Sequence, residues 1–261
     1  MKIVFIGAGN LASGMSEEMQ RAGMTIGQIY SRTRAHAESL ARRINCRWTS
    51  NLHEVITDAD LYVFAVTDTA LPQVIARMKP NGGLWVHTAG SLPAELFERY
   101  TSRYGVFYPL QTFTRGLRVC LDKTPIFLEA KWKEDYKMLR RIAVALSDNV
   151  RETDWEQRKR IHLSAVFACN FTNHMYALAA RIMEEQGLPY DLLLPLIEET
   201  AAKVNVLTPA EAQTGPAVRF DRNIMDKQIA MLEEQPAMQT IYKLLSQNIY
   251  KEKIMNKEIA D

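Results

Sequence analysis

A glycine-rich turn near the start of the chain constrains the fold more than any other feature. Residues 2–6 are mostly apolar and rich in β-branched side chains, which is typical of a buried parallel strand. The strand is followed by Gly7-Ala8-Gly9-Asn10-Leu11-Ala12, which matches the dinucleotide fingerprint G-x-G-x-x-A. The sequence therefore predicts a strand, a phosphate-binding turn and a helix in immediate succession.

The residue types of this turn have physical reasons. Gly7 permits the tight turn out of the strand, and Gly9 leaves the backbone open to a pyrophosphate. Ala12 is small enough for the new helix to pack closely against the strand. The first N–H groups of that helix are unpaired and carry partial positive charge, which suits phosphate. The alternative is a Rossmann loop that binds nothing, but the position of the turn between strand and helix favours dinucleotide binding.

The end of the second predicted strand indicates which dinucleotide is bound. NAD-binding proteins place an acidic side chain there for the ribose 2′-hydroxyl. This chain has Ser31-Arg32-Thr33-Arg34 instead. Because a hydroxyl and two guanidinium groups suit a 2′-phosphate, the sequence predicts NADP(H) as the cofactor. The alternative is that Arg32 and Arg34 are ordinary solvated residues at the start of a helix.

Later strands also end in short polar stretches. In open α/β sheets, ligands bind beyond the carboxyl ends of the strands, so we expect these stretches beside the cofactor and substrate. Asp68 can equally be the N-cap of a helix predicted over 69–78. The candidate cofactor contacts are Val66, Thr67, Asp68, His87, Thr88 and Gly90, and Gln111 is a candidate substrate contact.

The composition of the chain changes at about residue 152. Strand and helix patterns alternate before that point, and only helical patterns follow it. The predicted fold is therefore α/β, with a doubly wound parallel Rossmann sheet over residues 1–152 and an all-α domain over 153–261. A helix predicted over 155–186 has no charged residue between Arg160 and Arg181. Its polar residues would be costly in a bilayer, so it is predicted to be a buried helix of a soluble protein.

Polar side chains recur on one predicted face of that helix. His162, Asn170 and His174 have spacings that place them together among apolar neighbours. Buried polar groups must be hydrogen-bonded, either to a neighbouring helix or to a ligand. His162 is the candidate general acid, because imidazole commonly serves in that role, and Asn170 is the candidate for orienting the substrate.

A turn between later helices carries a further candidate substrate contact. It contains Thr214 and Arg219, which offer a hydroxyl and a cation to a substrate. The alternative is a purely structural loop held by an ion pair between Arg219 and Asp221.

Composition excludes several other classes of protein. The net charge of +2 gives no indication of a nucleic acid or an acidic membrane as partner. The three cysteines are far apart, and neither C-x-x-C nor H-E-x-x-H occurs, so no metal site and no disulfide framework is predicted. Because the chain begins directly with the predicted strand, we expect no signal peptide and a cytoplasmic location.

These features together resemble the superfamily of pyrroline-5-carboxylate reductase and 6-phosphogluconate dehydrogenase. Within it, the sequence is similar to a bacterial family with a Rossmann-like domain and a helical C-terminal domain of unknown function. Its members are commonly labelled NADP oxidoreductases, some by similarity to deazaflavin-dependent NADP reductases. The resemblance implies a nicotinamide cofactor and a homodimer formed through the helical domain. The matching stretches are residues 7–12, 31–33, 87–91, 108–113, 162–171 and 214–216.

One departure limits what this resemblance implies. Hydroxyacid dehydrogenases of the superfamily carry a Lys and an Asn one turn apart on the helix that enters the second domain. Here Lys159 precedes His162, and Asn170 follows two turns later. We therefore predict an NADP-dependent oxidoreductase that moves hydride between the nicotinamide and a small carbonyl or imine in a cleft between the domains. The alternative is a non-catalytic NADP(H)-binding protein that senses redox state.

Overall fold

The computed structural model describes residues 1–260, with side chains over 1–255. The chain divides into two compact units, of which the first spans residues 1–171 and the second begins at Thr172. The division falls later than the predicted boundary at residue 152. The reason is that the helix after residue 154 is fixed to the sheet of the first unit by a buried arginine, Arg158.

The first unit is built on a single eight-stranded sheet. Its strands are β1 (Lys2–Ile6), β2 (Thr25–Tyr30), β3 (Arg47–Thr49), β4 (Leu61–Phe64), β5 (Leu84–His87), β6 (Tyr104–Pro109), β7 (Ile126–Ala130) and β8 (Val150–Glu152). The strand order is β3-β2-β1-β4-β5-β6-β7-β8. The first six strands are parallel, and β7 and β8 run in the opposite direction. The order reverses between β1 and β4, where such sheets bind their ligands. This confirms the predicted Rossmann fold.

Both faces of the sheet are covered, which explains why its strands read as continuous apolar runs. The helices of this unit are α1 (Asn10–Arg21), α2 (Arg34–Arg43), α3 (Leu71–Ile75), α4 (Lys133–Val144) and α5 (Trp155–Ala165). On one face, Ile3 and Phe5 of β1 belong to a buried cluster that includes Met15 of α1. On the other face, Val4 belongs to a cluster that includes Phe97.

The helix predicted over 155–186 is present to residue 185, but it is not α-helical throughout. The helix α5 ends at Ala165, a π-helical segment covers Val166–Phe171, and α6 follows over Thr172–Glu185. A π turn takes in an extra residue, so the positions after it differ from those of the predicted continuous α-helix. The prediction that this uncharged run is buried is also wrong for the single chain. None of its residues is buried, and Leu163 and Phe167 are both more than half exposed.

The second unit is all-α, as predicted. Besides α6 it contains α7 (Leu194–Lys203), α8 (Pro209–Ala212), α9 (Pro216–Arg219), α10 (Arg222–Ala230) and α11 (Pro236–Ala260). Both α9 and α10 pack against α11, and Phe220 stacks on Tyr250 with ring centroids 4.4 Å apart. No described helix is long and apolar enough to cross a membrane.

Candidate functional site

The turn after β1 has the geometry that its sequence predicts. Gly7 has φ +130°, and a Cβ at this position would collide with the carbonyl of Ala65. Gly9 caps α1 with extended backbone, and a Cβ there would meet nothing within 4 Å. Ala12 is fully buried against the strand. The free space at Gly9 and the unpaired N–H groups of α1 suit a phosphate.

A small cavity of about 110 Å³ lies beside this turn. Three basic side chains line it, namely His36, Arg43 and Arg115. Arg43 is engaged in an ion pair with Glu17, at 3.2 Å from Nη2 to Oε1. No local sequence pattern singles out these residues, because two are ordinary positions of a helix and Arg115 lies far away in the chain.

The segment between β2 and α2 carries two arginines, which differ in their contacts. The hydroxyl of Ser31 accepts a hydrogen bond from the N–H of Thr33 at 3.3 Å. Arg34 is 5.3 Å from the centre of the Trp48 ring, so its guanidinium is engaged in a cation–π contact. Arg32 is exposed, and the described residues offer its guanidinium no hydrogen bond or ion pair. It therefore remains the candidate for the 2′-phosphate.

Asp68 joins the loops that follow β4 and β5. Its carboxylate accepts a hydrogen bond from the hydroxyl of Ser91. The alternative prediction, that Asp68 caps a helix, is wrong, because α3 begins only at Leu71 and its N-cap is Ala70. The neighbouring Thr67 is exposed, with its hydroxyl 3.3 Å from that of Thr69. Polar groups thus do collect at the carboxyl ends of these strands.

The His87 side chain, predicted to lie beside the cofactor, is directed into the core. Its ring is fully buried at the end of β5. Nδ1 accepts a hydrogen bond from the N–H of Ala89 at 3.1 Å, so Nε2 carries the proton and donates to the carbonyl of Pro93 at 3.3 Å. Burial, and to a smaller extent the positive charge of Arg158, lowers the pKa of His87 to about 3. The neutral ring holds the loop after β5 through these two hydrogen bonds and is not accessible from the protein surface.

Tyr108 and His162 form a hydrogen-bonded pair beyond the ends of the strands. The Tyr108 hydroxyl on β6 lies 3.0 Å from Nδ1 of His162 on α5. Gly90 lies directly against the imidazole, since a Cβ there would be 2.6 Å from the His162 Cγ. Burial raises the pKa of Tyr108 to about 12, so its hydroxyl stays protonated at neutral pH. The hydroxyl can donate to or accept from Nδ1, and the described residues give Nε2 of His162 no partner.

A buried arginine fixes α5 beneath this pair. Arg158 is fully buried one turn before His162. Its guanidinium pairs with the carboxylate of Glu129 on β7 and donates to the carbonyl of Leu92 at 2.6 Å from Nη2. Trp155 donates from its indole N–H to the carbonyl of Ser91 at 3.2 Å. These bonds fix the helix, and therefore His162, relative to the strand ends.

Among the described residues of the first unit, the other predicted ones form no hydrogen bond with the Tyr108–His162 pair, and they differ in exposure. Val66 is half-buried against the core, and Thr88 is buried with its N–H bonded to the carbonyl of Phe64 at 3.3 Å. Gln111 is exposed and donates to the hydroxyl of Thr124 at 3.3 Å. Asn170 is exposed in the π-helical segment.

Thr214 and Arg219 lie in the second unit and are exposed. The alternative that an Arg219–Asp221 ion pair holds their loop is wrong. Asp221 instead caps α10, accepting a hydrogen bond from the N–H of Ile224 at 3.3 Å.

A Rossmann sheet with an open glycine-rich turn, followed by a helical unit, is typical of dinucleotide-dependent oxidoreductases. Residues 2–88 match the family model described as NADP oxidoreductase, coenzyme F420-dependent, and residues 124–249 match a domain of unknown function, DUF2520. A crystal structure named "putative NADP oxidoreductase BF3122 from Bacteroides fragilis" is 46% identical, covers 96% of this chain and 98% of its own, and superposes with TM-score 0.91. The chain therefore belongs to this family of NADP oxidoreductases. The family assignment confirms the predicted oxidoreductase class and its NADP cofactor.

Two more distant structures share the fold alone. Protein TM1727 from Thermotoga maritima is 23% identical, with coverage of 95% of this chain and 99% of that chain and TM-score 0.78. A reductive aminase from Aspergillus terreus, in complex with NADPH and ethyl levulinate, is 15% identical, with coverage of 96% and 94% and TM-score 0.71. A search of curated proteins finds no match to this sequence.

Proposed function

We propose that this protein transfers hydride between NADP(H) and a small carbonyl or imine, and that His162 supplies the proton. In the reductive direction, hydride adds to the carbon and a proton adds to the oxygen or nitrogen. The observation that carries this proposal is the hydrogen bond between Tyr108 and His162 at the carboxyl ends of the strands. This edge of the sheet is where such folds bind their ligands.

The proposed cofactor site begins at the turn after β1. The pyrophosphate lies on residues 7–12, where the space at Gly9 and the first N–H groups of α1 suit it. The 2′-phosphate lies at Ser31, Arg32 and Thr33. The exposed guanidinium of Arg32, with no partner among the described residues, supports this placement. The nicotinamide lies towards Thr67 and Gly90.

In this proposal His162 is the catalytic acid and Tyr108 holds its ring. Two features of the pair support these roles. The Tyr108 hydroxyl fixes Nδ1, and Gly90 leaves room for the imidazole against the loop after β5. Nε2 is then the ring nitrogen that faces a substrate. Asn170 stays a candidate for orienting the substrate, and Gln111, Thr214 and Arg219 stay candidates for contacting it on sequence grounds.

A distantly related structure also supports the proposed substrate class. The reductive aminase that shares this fold binds NADPH together with a keto ester. We propose small carbonyls and imines for this chain because such compounds need only an oriented hydride donor and a proton donor. We further propose a cytoplasmic location and no nucleic-acid or membrane partner.

We propose that the protein is a homodimer formed through its helical unit. Large apolar side chains are exposed on α6, on the turn before α7, on α7 itself and on the segment after it, and a soluble monomer rarely leaves such side chains uncovered. They include Ile182, Leu192, Leu194, Leu196, Val204 and Val206. Sedimentation should give a dimer, and a monomer at micromolar concentration would contradict this proposal.

A fluorescence titration followed by a substrate panel tests the proposed activity. Purified protein is titrated with NADPH and with NADH, and NADPH oxidation is then followed with small ketones, aldehydes, preformed cyclic imines and coenzyme F420. Tighter binding of NADPH than of NADH, with turnover of a carbonyl or imine, supports the proposal. Turnover of coenzyme F420 alone would contradict the proposed substrate class. Tight NADPH binding without turnover of any compound would favour the non-catalytic alternative.

A further inference from the structure

The segment that connects β6 to β7 lies along the phosphate-binding helix α1. We refer to residues 111–120 of this segment as the strap. The side-chain amide of Asn10 donates to the carbonyl of Phe113 at 3.1 Å. Farther along α1, Arg118 Nε of the strap lies 3.5 Å from the Glu18 carboxylate. The strap therefore meets α1 near both ends of the helix.

Gly14 provides the middle contact of the strap with α1. A Cβ at Gly14 would lie 2.8 Å from Cδ1 of Phe113 and 3.6 Å from a methyl carbon of Val119. The Phe113 ring thus packs where any larger residue would project from α1. Residues 10, 14 and 18 follow each other at four-residue intervals, so they share one face of the helix. The strap is seated on that face by a hydrogen bond, a close apolar contact and an ion pair.

This seating places Arg115 beside the phosphate turn. Arg115 lies between Phe113 and Arg118 and lines the cavity of about 110 Å³ together with Gly9 and Asn10. Its guanidinium is exposed, and the described residues offer it neither a hydrogen bond nor an ion pair.

We propose that Arg115 is a cofactor-binding residue, whose guanidinium contacts a phosphate of NADP(H) from the strap. Guanidinium groups bind phosphate by paired, charge-assisted hydrogen bonds. The phosphate is either the pyrophosphate or the 2′-phosphate, which share this chemistry. The inference rests on the proposed binding of NADP(H) at the turn after β1. It adds a contact from outside residues 2–88, the part of the chain that matches the NADP oxidoreductase family model.

Titrations of Arg115→Ala with NADPH and NADH test this inference. We expect NADPH affinity to fall about tenfold, the effect of losing one charge-assisted hydrogen bond. If NADH affinity falls equally, the contact is to the pyrophosphate, and if NADH affinity is unchanged, the contact is to the 2′-phosphate. The matched control is Arg99→Ala, which removes an exposed cation that does not line this cavity and should change affinity less than twofold.

A second variant tests the strap itself. Gly14→Ala should displace Phe113 and lower NADPH affinity severalfold, with an unchanged far-ultraviolet circular dichroism spectrum. If Arg115→Ala binds both dinucleotides within twofold of the wild type, the role of Arg115 is overturned. That result differs from a wild-type protein that binds neither dinucleotide, which would overturn the proposed cofactor site itself.

Discussion

The Tyr108 hydroxyl lies 3.0 Å from Nδ1 of His162, although the two residues are 54 positions apart. Tyr108 stands near the end of β6, and His162 stands in the third turn of α5. The absence of a side chain at Gly90 gives the imidazole its room, and Arg158 holds the helix in place. A neutral hydroxyl and an imidazole in this arrangement can move a proton at the edge where the cofactor is proposed to bind.

His162→Ala should lower kcat far more than it changes NADPH affinity. General acid catalysis contributes about 10²-fold to 10⁴-fold, so we expect a loss of at least about a hundredfold. Tyr108→Phe removes only the partner of Nδ1 and should cost less. The measurements are steady-state NADPH oxidation with a substrate found in the panel and a parallel NADPH titration. His174→Ala, an exposed histidine of the second unit, is the control, and unchanged turnover in His162→Ala would remove His162 from the mechanism.

Arg32→Asp should change the cofactor preference of the protein from NADPH to NADH. The substitution removes the cation proposed for the 2′-phosphate and introduces an acid suited to the 2′-hydroxyl of NADH. NADPH affinity should fall about tenfold or more, and NADH affinity should be kept or rise. Separate titrations with the two dinucleotides measure this effect, and Arg34→Ala, which removes a cation already engaged with Trp48, is the control. Equal responses of both cofactors would disprove the assignment.

Gly7→Ala and Gly9→Ala should act on different properties. Gly7 has φ +130° and lies against the Ala65 carbonyl, so Gly7→Ala should lower the free energy of unfolding by about 3 kcal/mol or more. Gly9 has φ −78° and open space around it, so Gly9→Ala should fold normally. Its methyl group should nonetheless obstruct the pyrophosphate and weaken NADPH binding about tenfold or more. Urea denaturation and NADPH titration separate these effects, and normal NADPH binding by Gly9→Ala would contradict the phosphate placement.

Arg158→Met should destabilise the first unit strongly. It leaves the Glu129 carboxylate and the Leu92 carbonyl without their partner, and breaking a buried ion pair in this way costs about 3–5 kcal/mol. The double variant Arg158→Met/Glu129→Met should recover part of the loss, because no uncompensated charge remains. Urea denaturation measures all three proteins, with the exposed Arg160→Met as the control on the same helix. A cost below about 1 kcal/mol for Arg158→Met would show that the pair is not an anchor.

The stability of the protein should fall below neutral pH because of His87. Burial lowers its pKa from 6.5 to about 3, so between these values the unfolded chain takes up a proton that the folded chain does not. This contribution to the free energy of unfolding is therefore full above pH 6.5 and decreases towards pH 3, by up to about 1.4 kcal/mol per pH unit. Urea denaturation between pH 7.5 and pH 5 should show a steeper decline for the wild type than for His87→Asn. The exposed His53 provides the control His53→Asn, which should keep the wild-type slope.

Local sequence patterns were sufficient to predict the fold class and the glycine-rich turn after β1. Both depend on local patterns. Apolar runs are typical of buried strands, and the residue types between Gly7 and Ala12 are those that the backbone of this turn requires. The NADP cofactor followed from the residues directly after β2, and the family assignment agrees with it. The helical structure of the residues after 152 was also predicted from local patterns.

Which polar side chains come into contact depends on the packing of the whole first unit. His87 stands at the end of its strand beside polar residues, but its side chain is directed into the core and its ring is buried. Tyr108 and His162 form their hydrogen bond because Arg158 holds α5 against the sheet. The π-helical segment and the seating of the strap on Gly14 are likewise absent from any local pattern. Contacts between residues that are distant in the sequence depend on how the whole sheet packs with its helices. A pattern of neighbouring residues carries no information on such contacts.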